Sequence, residues 1–335
     1  MIKILHKLRV CQLLLIILIL ASCAQNPPIE TDDFEAGYAG DVFSDNYPEE
    51  GEENMDNVDN ESNVIDLSNL PQSLFGFANI DGSEIILLGH SREVLQSAIH
   101  FKYAIGENGA IYKIEYDRFQ EWNRDAPHGR DTAENFANLR GTIYRVIDAP
   151  VIPGRTYLLI TQEKFDEITI FEGECLGIHA FWAAPFDDPF TAPEVSDEAK
   201  AKYSEARNWE VTNGWMLTEY PNGYRINFIA FDFKGDDAIF WVVLESDDKF
   251  QYFEFATRSY SGDNAVWFFD EREWDFVSGS DFFIVATVEN QEKIIVYFGR
   301  HHFMSGEVLL AVAFPKDDSV PPYLKMINHR MNIMI

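Results

Sequence analysis

From residue 67 onward, apolar and polar positions alternate in short blocks, separated by turn residues. Apolar and aromatic runs occupy 84–88, 101–105, 110–116, 142–147, 157–161, 167–171, 178–183 and 215–220. They continue at 224–233, 239–244, 250–257, 265–269, 282–288, 293–298 and 308–314. Phe, Tyr, Val and Ile fill them, and these residues suit a pleated, half-buried surface. A spacing of roughly 10 to 14 residues predicts antiparallel strands joined by hairpins. Ile80-Asp81-Gly82, Glu107-Asn108-Gly109 and Pro221-Asn222-Gly223 sit between runs, and their Asp-Gly and Asn-Gly pairs predict hairpin turns of type I′.

Helical periodicity is rare. Ser196 is an expected N-cap, followed by Asp197 and Glu198, an apolar stripe of Ala199, Tyr203 and Ala206, and a stop at Arg207-Asn208. Weaker helices are expected at 92–100 and 133–139. Because Pro185, Pro189 and Pro193 precede the first of these, residues 185–208 are expected to connect two β units. The expected fold is therefore all-β: antiparallel, hairpin-rich, with units at 67–184 and 209–335 joined by a short helix. A β-propeller is the alternative. A weak duplication lays 157–182 on 242–267, matching Lys164-Phe165 with Lys249-Phe250; it implies an insertion at about 118–146 in the first unit. A rival period of 44 relates Lys249 to Lys293 and Gly262 to Gly306, a repeat length that suits propeller blades.

The N-terminus has another pattern. Lys3, Lys7 and Arg9 precede the unbroken apolar run 13–20, and Leu20-Ala21-Ser22-Cys23 comes directly after it. A basic start, a short apolar core and small residues at a cut describe a secretory signal. The apolar stretch 10–24 falls short of the ~20 residues a spanning helix needs. The tetrapeptide LASC resembles the lipobox of bacterial lipoproteins. That resemblance, confined to residues 20–23, implies removal of residues 1–22, a diacylglyceryl group on the Cys23 thiol and acylation of its new amine. It also implies an extracytoplasmic protein anchored by lipid to the cell membrane or outer membrane.

Charge sets the next segment apart. The chain holds 26 Lys and Arg against 56 Asp and Glu. Residues 24–66 carry 14 of those acids and no Lys or Arg, with Pro27, Pro28 and Pro48 and no apolar period. Such a segment buries too little surface to offset its ordering entropy, so 23–66 is expected to be a disordered acidic tether. Residues 67–335 keep an excess of 19 acids, a field that repels nucleic acid and anionic headgroups. Cys175 has no partner once Cys11 leaves with the signal and Cys23 is lipidated, so no disulfide framework is expected.

Motifs for chemistry fail on context. Ser246-Asp-Asp-Lys249 has the S-x-x-K spacing but lies between two strands, where the pair does not share a helix face. Residues 261–267 are one residue short of a sialidase Asp-box and lack its Gly and Thr. His301 and His302 are adjacent on a strand, hence on opposite faces, and a zinc site needs three or four ligands. Among Asp187, Asp188, Glu271 and Glu273 no carboxylate pair is singled out. No catalytic, cofactor or metal residue is assigned.

One stretch departs from the acidic background. Residues 118–145 hold Arg118, Arg124, Arg130, Arg140 and Arg145 with Trp122 and His128. Arg and Trp are enriched at binding hot spots, so Trp122, Arg124, His128 and Arg130 are the candidate partner-binding residues. The competing assignment pairs the arginines with surface acids and places Trp122 at a core edge. The functional expectation is a lipid-anchored envelope binding or interaction protein, with a protein or glycan partner and no nucleic acid. An envelope hydrolase, carbohydrate-active or other, and a scaffold subunit of an envelope complex are the alternatives.

Overall fold

A computed structural model describes residues 72–88, 96–123, 135–173, 192–232, 237–247, 249–258, 282–302 and 306–331. The chain divides into Met1–Asn63 and Val64–Ile335, and the described residues belong to the second unit. Cys23, the signal and the whole acidic segment 23–66 lie outside the described residues, as do Cys175 and residues 261–267.

The all-β architecture is present, with every strand pairing antiparallel. Strands β1 (Ser73–Ala78), β2 (Glu84–Leu88), β3 (Phe101–Ile105), β4 (Ile111–Gln120), β5 (Gly141–Val146) and β6 (Thr156–Thr161) close a barrel in the order β1-β2-β5-β4-β3-β6. β4 and β5 take the two ends of the expected insertion at 118–146, and the connection 121–140 remains of it. Next come α1 (Gln162–Asp166) and the two-residue β7 (Thr169–Ile170), then α2 (Asp197–Arg207). The remaining strands are β8 (Val211–Glu219), β9 (Arg225–Phe231), β10 (Asp237–Ser246), β11 (Lys249–Arg258), β12 (Phe282–Glu289), β13 (Lys293–His302), β14 (Gly306–Pro315) and β15 (Tyr323–Met331). They form a four-stranded sheet, β11-β10-β9-β8, and a five-stranded sheet, β15-β14-β13-β12-β7. These are stacked sheets beside a barrel, and no blades radiate from an axis.

The five-stranded sheet is the middle layer. Phe283, Val285 and Tyr297 on one face pack on Phe75, Leu158 and Ile160 of the barrel wall. Phe282, Ile284 and Phe298 on the other pack on Phe228, Phe240 and Val242 of the four-stranded sheet. Phe228 and Phe282 stack with centroids 3.7 Å apart. A strand covered on both faces has no polar side to alternate with, and Phe282 through Val288 are all buried. Each fully buried Phe, Ile or Val stabilises the stack by about 1.5–3 kcal/mol relative to exposure. Helix α2 covers the outer face of the four-stranded sheet, where Tyr203 meets Trp241 and Val243. Its caps match the sequence: the Ser196 hydroxyl accepts from the Ala199 amide at 3.2 Å, and Asn208 closes it in the left-handed region.

Two expectations change. Only Asn108-Gly109 has both residues at positive φ; at Pro221-Asn222-Gly223 the glycine alone is left-handed, in a three-residue loop closed by Tyr220 N–H to Tyr224 C=O. The duplication does not survive: Lys164-Phe165 lies in α1, whose Thr161 cap starts a helical turn, whereas Lys249-Phe250 opens a strand. Lys249 and Lys293 do both open the second strand of a hairpin.

Candidate functional site

A groove of about 1020 Å³ runs beside β11. Six consecutive residues line it, Lys249, Phe250, Gln251, Tyr252, Phe253 and Glu254. Side chains alternate between faces of a strand, so a cavity touched by six in a row tracks the strand's edge. β11 pairs with β10 along its whole length on one side, and among the described residues no strand pairs with the other side. Alternate backbone N–H and C=O groups of β11 therefore point into the groove without a ladder partner. The lined stretch is about 17 Å long at strand rise.

The opposite wall is the connection from β14 to β15, with Pro315, Val320, Pro321 and Pro322. Two polar contacts span the gap: the Gln251 amide donates to the Pro315 carbonyl at 3.0 Å, and the Lys249 ammonium to Asp318 at 3.0 Å. The outer flank is aromatic. Tyr252 lies flat on the fully buried Trp241, and the Lys202 ammonium stands 4.7 Å from the Phe250 ring. The charges lining the groove are mostly paired: Lys202 with Glu245, Lys316 with Glu289, Lys249 with Asp318, Glu254 with Arg207. What remains for a ligand is an apolar trough with one unpaired backbone edge.

A buried polar cluster holds the helix end of this wall. The Glu245 carboxylate receives hydrogen bonds from Lys202 (2.9 Å), the Tyr203 hydroxyl (3.0 Å) and the Asn227 amide (3.1 Å). Burial favours the protonated acid, but the bonds from Lys202 and Tyr203 and the charges of Lys202 and Arg225 outweigh it. They hold Glu245 below the usual glutamate range. Burial, then the Glu245 charge, push the Tyr203 hydroxyl up, so it stays a donor.

The candidates from the sequence fare differently. Trp122 is 41% exposed just after β4, so it is not a core plug. Arg124, His128 and Arg130 lie outside the described residues. Of the other arginines, Arg118 bonds Glu84 and Asp117, Arg140 approaches Glu121 at 3.0 Å, and Arg145 pairs with Glu115. Ser246 and Lys249 face each other across a hairpin end, with Lys249 turned to Asp318. His301 and His302 close β13 opposite Glu307 and Gly306. Asp187, Asp188, Glu271 and Glu273 lie outside the described residues. Among the described residues no group of three His, Cys, Asp or Glu is placed to hold a metal ion, and no helix is long and apolar enough to cross a membrane. Sequence reasoning missed the groove; its one signal is the stretch Lys249 to Glu254, which carries large rings on both faces of a strand.

The chain matches no protein-family model, no curated protein and no solved structure.

Proposed function

We propose that this is a lipid-anchored, extracytoplasmic binding protein of the bacterial envelope that captures an extended polypeptide segment along β11. The observation that carries the reading is the edge of β11, paired by no strand among the described residues, lying inside an apolar groove. An extended segment adds a strand there: its main chain completes the ladder, and its alternate side chains enter the Tyr252 side and the Phe253 side in turn. The LASC tetrapeptide and the acidic segment 24–66 supply the anchor and the reach. Paired wall charges leave affinity to backbone bonds and apolar contact.

The test uses a library of synthetic hexapeptides with Val, Ile or Phe at alternate positions, scored by amide hydrogen exchange. Binders are expected to slow exchange at 250–254 and to leave β8 amides unchanged. If no peptide protects β11 beyond β8, strand addition is wrong and the groove has another use.

A further inference from the structure

The five-stranded sheet carries a second feature on the face turned away from the groove. Ile294 and Phe314 line the groove, so by alternation Lys293, and Tyr323 through its partner Ala313, belong to the barrel-side face. The Lys293 ammonium donates to the Tyr323 hydroxyl at 2.8 Å. Beside them the β14–β15 ladder slips: Leu324 pairs with Val312 and Met326 with Ala311, leaving Lys325 as the extra residue of a bulge. A bulge re-aims the side chain it carries. On the same face α1 packs Phe165 into the core beneath, next to Lys164, whose side chain is only 13% exposed. The Lys164 and Lys293 charges both act on Lys325.

We propose that Lys164, Lys293 and Lys325, with the Tyr323 hydroxyl, bind the phosphate group, or an equally charged oxyanion, of a small soluble molecule. Three lysines share this face, with Lys293 on the Tyr323 hydroxyl two residues from Lys325, in a chain with 30 more acids than bases. The one paired carboxylate described is Glu167, 3.4 Å from Lys164. Lys325 is exposed, and no described hydrogen bond or ion pair engages its ammonium, so its three donors are available. Tyr323 is also exposed; its oxygen accepts from Lys293, which leaves its own proton to donate. Desolvation among the packed strands, then repulsion from Lys164 and Lys293, push Lys325 down to about 8. Because the residue is exposed, the repulsion is the part that bears on a ligand. A doubly charged oxyanion between the three cations relieves it, and charge-assisted bonds to all three are the strong kind.

The experiment is competitive acetylation of lysines in the full chain, read by mass spectrometry, without added anion and with inorganic phosphate, pyrophosphate or phosphatidylglycerol vesicles. Exposed Lys102 is the internal control. Phosphate or pyrophosphate is expected to raise the Lys325 midpoint from about 8 toward 9, leaving about fivefold less reactive amine at pH 8. Lys102 reactivity stays constant, and Lys293→Gln abolishes most of the protection. Unchanged Lys325 reactivity, equal slowing at Lys102, or full protection persisting in both Lys293→Gln and Lys164→Gln each overturns the site. Protection by vesicles alone overturns it in favour of a membrane contact. The measurement does not involve β11, so failure of strand addition at the groove leaves this result readable.

Discussion

Trp241 and Tyr252 lie face to face on the outer side of the β10–β11 hairpin, with centroids 3.7 Å apart and planes inclined by 13°. Tyr252 opposes Val243, so this is a diagonal cross-strand pair, within reach of two large rings. One ring is fully buried, and its indole N–H donates to Glu254 at 2.8 Å; the other is 38% exposed at the groove. The pair connects the packed core to the open edge.

Substitution separates the two roles. Tyr252→Ala should cost about 0.5–1.5 kcal/mol, the worth of an aromatic pair, and shift Trp241 emission as its face opens. Trp241→Ala empties a packed site and should cost about 3–5 kcal/mol in urea unfolding. Equal costs for the two would mean that Tyr252 is a core residue.

Glu245→Ala leaves Lys202, Tyr203 and Asn227 without their shared acceptor, and is expected to destabilise by about 2–4 kcal/mol. The pH dependence has a definite sign. The folded carboxyl lies below its unfolded value, so its contribution is complete above the unfolded value and fades as pH falls through the glutamate range and below. Wild type and Glu245→Ala should converge in stability on acidification. A constant gap down to strong acid would remove the ionised carboxylate from the account.

Lys325 moves stability with pH in the same direction as Glu245, for the opposite reason, because here the charged form is the disfavoured one. Its folded value of about 8 lies below the ordinary lysine value of about 10.4, so its charge destabilises the fold fully below pH 8 and is relieved as pH rises between the two. In phosphate-free buffer at pH 7, Lys325→Gln should raise the melting temperature by about 1–2 °C, an expectation already reduced for solvent screening. A fall would show that the lysine has a stabilising partner.

Trp122 is exposed, and Trp122→Ala should change stability by no more than about 0.5 kcal/mol. Any loss of partner capture by that variant is then a contact effect. A drop in melting temperature of many degrees would return the residue to the core.

Cys23→Ser should release the protein from the membrane fraction and abolish incorporation of labelled fatty acid, because two or more acyl chains supply stable anchoring. Retention through high-salt washing would mean that residues 10–24 hold the chain in the bilayer.

The strands were legible because burial of one face imposes alternation, and of two faces a continuous run, as at 282–288. The Ser196 cap and the Asn208 stop were legible because caps are local chemistry. Sheet order was not. β7 is two residues long and joins β12, and nothing within Thr169-Ile170 names that partner. The groove was hidden for the same reason: it lies along an edge of β11 that no strand among the described residues pairs, and its far wall lies 64 residues along the chain from Gln251 at Pro315. The three lysines come from a helix and two separate strands, and only the β14–β15 slip shows where Lys325 is turned.

The middle sheet also sets a timetable. The barrel strands are made first, and β12 to β15 last. Until those final strands arrive, Phe75, Leu158 and Ile160 have no cover, and neither does the inner face of β8 to β11. Two finished surfaces therefore wait for β12 to β15 before either is dry, which is the interval in which such intermediates aggregate. A truncation inside β12 to β15 strips both neighbours at once, so this half-made protein depends on whatever shields it before its C-terminus emerges.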